Sequence, residues 1–488
     1  MGITSLEFIA FCIISIFLFY CIPIKIRWIY LLLLSIAFIA LSQKPLLILY
    51  PVITVFITWI CTNSMEKEGC DPKAKKGFLA LGLLANLGVL IVLKYVNLGI
   101  YTYNALTGSD TSLVRFLIPL GISFYTMSIM GYLFDVYYEI EKPEKNYFRL
   151  LLFGTYFPLL ISGPIVRYGE TSIQLRAQKP FDENRLIKGL LRIMWGFFKV
   201  LVISERLAII CSEDYKGFFV LLSAVCFTMR LYTNFSGSMD IVIGLSSIIG
   251  VDLHENFDKP FASETIQEFW QRWHITLGSW LRDYVLYPLL RSKTFTDLSK
   301  SLKERYGKKK AGKITTYVAM LVLWLFAGLW HGGAWKYIWG VGLLQWIYIV
   351  IGEITRPRAE AIYKKLSINT RSVFLVFFRR IRTLLLMSIA LVFFSGESLR
   401  AGFKTIADIF VPSTGLPNTG LDTKNLAILI ASLIVWIFVS SLNKQKENEN
   451  ISYKIIRWIL LYVLIFTVIL FGSYGPGYSA AEFIYQGF

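Results

Sequence analysis

Apolar residues run in blocks of about 17 to 25, separated by short polar stretches. At ~1.5 Å of rise per residue, a helical block of that length crosses the ~30 Å hydrocarbon layer of a bilayer. The pattern predicts helices over residues 3–22, 27–42, 45–62, 78–98, 113–134, 148–165, 189–210, 217–233, 235–250, 314–330, 334–352, 373–395, 425–441 and 456–472. Several are short or carry Gly and Pro, so the expectation is about 10–12 spans, with the rest re-entrant or interfacial. This is the signature of an all-α polytopic membrane protein. The chain reads as one integral-membrane domain: peripheral helices over 1–112, a core over 113–352 and further helices over 353–488. Block 3–22 has no basic leader before it and no small-residue cleavage site after it, which predicts a retained helix.

One stretch departs from the pattern. Between Ser263 and Pro288, Trp270, Trp273, His274, Leu277, Trp280, Leu281 and Tyr284 recur at helical spacing, while Glu264, Glu268, Arg272, Ser279, Arg282 and Asp283 take the other positions. Ser263 is the expected N-cap, Glu268 to Arg272 an i, i+4 ion pair, and Pro288 the stop. A helix so polar on one side belongs at the interface or beside a wet cavity.

Composition sharpens this reading. Of 488 residues 55% are hydrophobic and only 17% charged, which excludes a disordered chain and argues against a cytosolic enzyme. The net charge of +18 does not point to nucleic acid, because the basic residues lie between apolar blocks. Residues 291–313 and 353–382 are strongly basic and therefore cytoplasmic, as are the loops with Lys67, Lys73, Lys75 and Lys76 and with Lys444, Lys446 and Lys454. Residues 99–112 have no Lys or Arg, and residues 396–424 are rich in Gly, Pro, Ser and Thr; both are expected outside. Counting crossings puts both termini outside, in a multi-pass protein of the plasma or inner membrane that contacts anionic lipids. The six cysteines form no CxxC pair and predict neither a disulfide framework nor a zinc site.

Candidate chemistry is concentrated. The chain holds three histidines, His254, His274 and His331; two of these, with eight of the 13 Trp, fall within 263–352. His331 ends an apolar block within GLWHGGAW, and an ionisable group at membrane depth usually has a task. A neutral imidazole with an ordinary pKa near ~6.5 can take a proton from a hydroxyl and return it to a leaving group. The bland alternative is a helix-end histidine bonded to a carbonyl. His274 reads either as a packed histidine or as a group that orients a substrate near His331. A metal held by the two lacks further ligands. Asp240, in the Gly-rich NFSGSMDIVIG, is either a structural pin paired with a basic residue or part of a polar path, and the pin is preferred. The chain contains no GxSxG, Walker or GxGxxG motif, which leaves serine hydrolases, P-loop ATPases and dinucleotide enzymes without support.

The ordered motifs PLGISFYT (119–126), ISGPIVRY (161–168), FSGSMD, NFDKPF, FWQRWHITLGSWLRDY, GLWHGGAWKYIWG and the terminal FIYQGF resemble the membrane-bound O-acyltransferase superfamily, in particular its bacterial alginate-acetylase-like branch. After RDY this chain has YPLLRSKTF where many relatives have a YIPLGGN-like turn. The resemblance implies a ring of helices around a central funnel, with an acyl group passing from a cytoplasmic thioester, acetyl-CoA above all, to hydroxyls of an exported polysaccharide or cell-wall polymer. It matches His331 to the family's active-site histidine and His274 to its second motif histidine, with no bound cofactor or metal. The substrate path would be lined by Asp240, Asn256, Trp270, Arg272, Trp273, Trp280, Arg282, Asp283, Trp330 and Trp335. It further implies an extracytoplasmic SGNH hydrolase-like partner protein. Two rivals follow: D-alanyl transfer to teichoic acid from a carrier-protein thioester, and a transporter or flippase with Asp240 and the histidines on a conduction path. The latter predicts paired broken helices in two related halves, and the sequence has no internal repeat.

Overall fold

The computed structural model describes residues 1–177, 179–413, 415, 417–442 and 451–474. Lys444, Lys446 and the FIYQGF motif lie outside the described residues. The chain is helical, and among the described residues the β-pairing is one isolated antiparallel bridge, Phe257 with Trp273. The helices are α1 (Leu6–Cys21), α2 (Arg27–Ser42), α3 (Leu49–Met65), α4 (Pro72–Thr107), α5 (Ile122–Tyr137), α6 (Tyr147–Thr155), α7 (Phe157–Ser162) and α8 (Tyr168–Arg176). α9 (Glu183–Phe197) continues through a π-helical stretch, Phe198–Ser204, into α10 (Glu205–Cys211), and α11 is Phe218–Ile249. Then come α12 (Ile266–Arg272), α13 (Ile275–Leu281), α14 (Tyr287–Arg291), α15 (Lys293–Tyr306), α16 (Lys308–His331), α17 (Trp335–Tyr337), α18 (Leu344–Lys365), α19 (Val373–Ser395), α20 (Leu399–Ala407), α21 (Thr423–Ser441) and α22 (Ile451–Phe471). Among the described residues, eight helical stretches are long and apolar enough to span a membrane: 24–42, 45–65, 72–107, 218–249, 308–331, 335–365, 423–441 and 454–471. Two shorter apolar stretches, 6–21 and 147–162, accompany them. The protein is therefore a multi-pass membrane protein.

Where helix ends differ from expectation, local chemistry explains the difference. α4 extends well past 78–98 because the Asp71 side chain caps its start by accepting from Ala74 N at 2.5 Å, Pro72 follows, and left-handed Gly108 ends it. The helix expected from 113 begins only at Ile122. Gly121 before it has φ +70, and a Cβ there would lie 2.6 Å from the Leu160 carbonyl oxygen, so PLGISFYT and the chain entering ISGPIVRY meet at a glycine. Helix 148–165 breaks at Tyr156, just before Phe157–Pro158, and the Phe157 N–H donates to Ser35 Oγ on α2 at 3.1 Å.

The two helices expected over 217–233 and 235–250 are one, α11. Its small residues Ser236, Gly237 and Ser238 do not break it; they admit α9. Cβ atoms built on Gly189 and Gly244 would meet each other's carbonyl oxygens at 2.8 and 2.7 Å, and those on Gly196 and Gly237 would do so at 2.5 and 2.8 Å. Two glycines seven residues apart on each helix thus let the backbones touch, the small-residue packing that membrane helices use. Gly196→Ala is expected to destabilise the protein by ~1–3 kcal/mol through overpacking. Gly77→Ala, at an open helical site of α4, should be neutral or slightly stabilising. Melting of the purified variants in detergent tests both.

The chain divides into two compact units, residues 1–208, 230–254 and 421–488 in one and 209–229 and 255–420 in the other. The first holds the α9–α11 glycine crossing. The second holds both His274 and His331.

Candidate active site

α16 leaves the basic residues 308–313 and ends on His331. Gly328 lets the following segment fold back against it: a Cβ there would lie 2.9 Å from Ile338 Cα and from the Tyr337 carbonyl oxygen. A Cβ on Gly332 would strike the Tyr337 ring. The glycines around His331 are therefore a packing requirement of the turn that presents it.

His274 is held differently. The single amphipathic helix expected over 263–288 is broken, because His274 is in the left-handed region at φ +49, ψ +50 between α12 and α13. A non-glycine residue there costs ~1–2 kcal/mol and persists only where its surroundings fix it. They do: the Asp258 N–H donates to Arg272 O at 2.9 Å, the Ile275 N–H donates to Asn256 O at 3.0 Å, and Phe257 pairs with Trp273. The N-cap of α12 is Thr265, whose hydroxyl accepts from Glu268 N at 3.1 Å, rather than Ser263. The Glu268–Arg272 ion pair forms at 2.9 Å. Pro288 does not stop the helix; it sits in the first turn of α14, and Ser292 ends that segment. At the other end of the segment Arg379 pairs with Glu264 at 2.9 Å, tying α12 to the basic start of α19.

The two imidazoles meet behind aromatic side chains. Their ring centroids are 6.5 Å apart, and Trp330 packs edge-on against both, 5.3 Å from His274 and 5.0 Å from His331. Phe394 closes on His331 at 5.9 Å and is itself backed by Tyr337 at 5.1 Å. Lys336 Nζ donates to the Gly396 carbonyl at 2.7 Å, fixing α17 to the end of α19. His274 is 1% exposed and His331 3%. Burial, and secondarily the neighbouring His331, holds His274 well below the ordinary histidine range, so it is neutral near pH 7. The side-chain oxygen of Asn256 accepts from Thr276 N at 3.1 Å and from Thr276 Oγ at 3.0 Å, and it lies 3.3 Å from His274 Nδ1.

Of the residues singled out from the sequence, His274, His331, Trp330 and Asn256 come together here. Trp273 stacks on Phe269 at 5.3 Å. Trp270 packs on Trp324 and donates to Gln345 Oε1 at 3.0 Å, and Trp280 packs on Tyr284. Arg282 and Asp283 form a solvent-facing pair at 3.5 Å, and the Trp335 ring is half exposed. Asp240 belongs to the first unit, where it takes Lys199 Nζ at 2.5 Å and Arg192 Nε at 3.1 Å across the α9–α11 crossing, as a structural pin would. Sequence reasoning missed Phe394, which carries no local signal, and did not single out Tyr337, although it lies within GLWHGGAWKYIWG. It also passed over Lys199, though a lone cation in the apolar run FFKVLVIS was such a signal.

Known proteins resemble this chain over much of its length. The sequence profile of the membrane-bound O-acyltransferase family matches residues 138–303, which include His274. A probable alginate O-acetylase, AlgI, of Pseudomonas syringae pv. tomato is 31% identical over 416 residues, 81% of this chain and 74% of that protein. A peptidoglycan O-acetyltransferase of Helicobacter pylori is 26% identical over 406 residues, 76% and 70% of the two chains. A teichoic acid D-alanyltransferase of Bacillus subtilis is 31% identical over 229 residues, 45% of this chain and 55% of that one. With two imidazoles in an aromatic enclosure at the end of a membrane span, and with relatives of this identity and coverage, the chain belongs to the membrane-bound O-acyltransferase family and is an O-acyltransferase.

Proposed function

We propose that the protein transfers an acetyl group from a cytoplasmic thioester, acetyl-CoA, to hydroxyls of an exported cell-envelope or secreted polysaccharide. The observation that carries this reading is the buried pair of imidazoles, 6.5 Å between centroids, where α16 ends. His331 is the general base. As the acceptor's hydroxyl oxygen attacks the thioester carbonyl carbon, a C–O bond forms and the hydroxyl proton passes to the imidazole. Collapse of the tetrahedral adduct breaks the C–S bond, and the departing thiolate takes the proton from the imidazolium. The cycle returns a neutral His331, a free thiol and an ester. The aromatic side chains keep bulk water from competing as nucleophile.

Acetyl transfer is favoured over D-alanyl transfer because the acetylase relatives match over more than 400 residues, against 229 for the D-alanyltransferase of B. subtilis. In this reading the protein sits in the plasma or inner membrane with its C-terminus outside. An extracytoplasmic SGNH hydrolase-like protein completes delivery to the polymer. The test supplies membranes of the native host with radiolabelled acetyl-CoA or with a D-alanyl carrier-protein thioester and follows label into the polymer fraction. Label from acetyl-CoA alone is expected; label only from the carrier-bound donor overturns the acetyl assignment. Solute movement with no covalent transfer in a reconstituted system would point to a transporter.

A further inference from the structure

We propose that Asn256 is a positioning residue that fixes His274 as the Nδ1–H tautomer, so that His274 offers its Nε2 as a hydrogen-bond acceptor and not as a donor. The inference rests on the acyl-transfer reading and assigns the second histidine a defined role within it.

Asn256 Oδ1 receives the Thr276 backbone N–H at 3.1 Å, which only an acceptor can do, so the atom is the amide oxygen and not the amide nitrogen. The Thr276 hydroxyl contacts the same oxygen at 3.0 Å. The third neighbour, His274 Nδ1 at 3.3 Å, must then carry a hydrogen to be compatible with that oxygen. A neutral imidazole has one N–H, and with it on Nδ1 the lone pair is on Nε2. Asn256 is 1% exposed and Thr276 6%, so water does not compete for these positions. The left-handed backbone at His274, held by Asn256 O through Ile275 N, points the imidazole at this oxygen; one residue therefore sets both main-chain and side-chain geometry.

The arrangement is a base oriented by a third group, the logic by which amide or carboxylate side chains hold catalytic histidines. The consequence is specific. With its single N–H directed at Asn256 Oδ1, a neutral His274 has no hydrogen on Nε2 to donate to a developing oxyanion. It can receive the hydrogen bond of an incoming hydroxyl beside His331. Among the described contacts of His274, His331 can titrate, whereas Trp330, Asn256 and Thr276 cannot.

The experiment measures acetyl transfer against pH for wild type, Asn256→Asp and Asn256→Ala, with acetyl-CoA as donor and host polymer as acceptor, normalised to inserted protein. Asn256→Asp keeps the acceptor oxygen and adds a negative charge, which raises the basicity of His274. The acidic limb of its rate profile is expected to move to higher pH by about 1–3 units. Asn256→Ala should lose ~10-fold or more in kcat, with a smaller effect on KM. An unchanged profile in Asn256→Asp overturns the proposal, as does full activity in Asn256→Ala. Independently of expression of either variant, 15N spectra of histidine-labelled wild-type protein read the tautomer: protonated Nδ1 and bare Nε2 at His274 are expected, and the reverse overturns it. Failure of the acyl-transfer reading looks different, since wild type itself then transfers no label.

Discussion

His331→Ala is expected to reduce polymer acylation by ~10²–10⁴-fold while leaving insertion and the amount of folded protein close to wild type. That range is the contribution of a positioned general base. The size of the loss follows from the enclosure: with His331 3% exposed and walled by Trp330, Phe394 and His274, solvent has little access to replace the missing base. His331→Gln separates chemistry from packing. It keeps much of the volume against Phe394 and Trp330 but cannot accept and return a proton, so it should be as inactive as the alanine variant and melt closer to wild type. Radiolabel incorporation and melting in detergent, measured on the same preparations, make the comparison. Full activity of either variant would end the assignment of His331 as base.

Asp240→Ala is expected to cost ~3–5 kcal/mol of stability, because it leaves the Lys199 ammonium buried without its carboxylate. Lys199 is only 5% exposed at its side chain, and a neutral hydroxyl, Ser236 Oγ, lies 2.9 Å from its ammonium. Arg192, 28% exposed, can turn toward solvent or headgroups more easily. The double replacement Lys199→Met with Asp240→Leu removes both buried charges and should restore most of the stability and of the activity, since replacing a buried ion pair by apolar residues is often neutral. This pattern identifies a pin. A single Asp240→Ala protein that melts like wild type yet transfers no acyl group would instead place Asp240 on a polar path used by substrate. The π-helical turn that carries Lys199 lies beside the Gly196–Gly237 contact, where close backbone packing leaves an unbalanced charge little room to relax.

The spans were readable along the chain because a bilayer imposes a one-dimensional constraint: a crossing helix needs an apolar run of fixed length, whatever it packs against. The predicted 27–42 is α2 to the residue; the predicted 373–395 is helix α19 to the residue, although α19 is not one of the eight stretches apolar enough to span. His274 and His331 could be singled out for a related reason, since titratable residues are scarce in apolar sequence and expensive there. Partnership across distant segments was a different matter. The left-handed break at His274 depends on Asn256 and on the Phe257–Trp273 bridge, and no periodicity within 263–288 encodes it. α11 continues through FSGSMD, where the small residues serve the close approach of the α9 glycines, a use that the sequence of α11 alone does not display. Asp240 needed a buried partner, but which cation would serve was settled by the crossing that brings Lys199 and Arg192 to it. The hydrophobic effect against lipid selects segments by composition alone, whereas close packing, hydrogen-bond satisfaction and charge pairing are properties of pairs, and pairs exist only once the chain is folded.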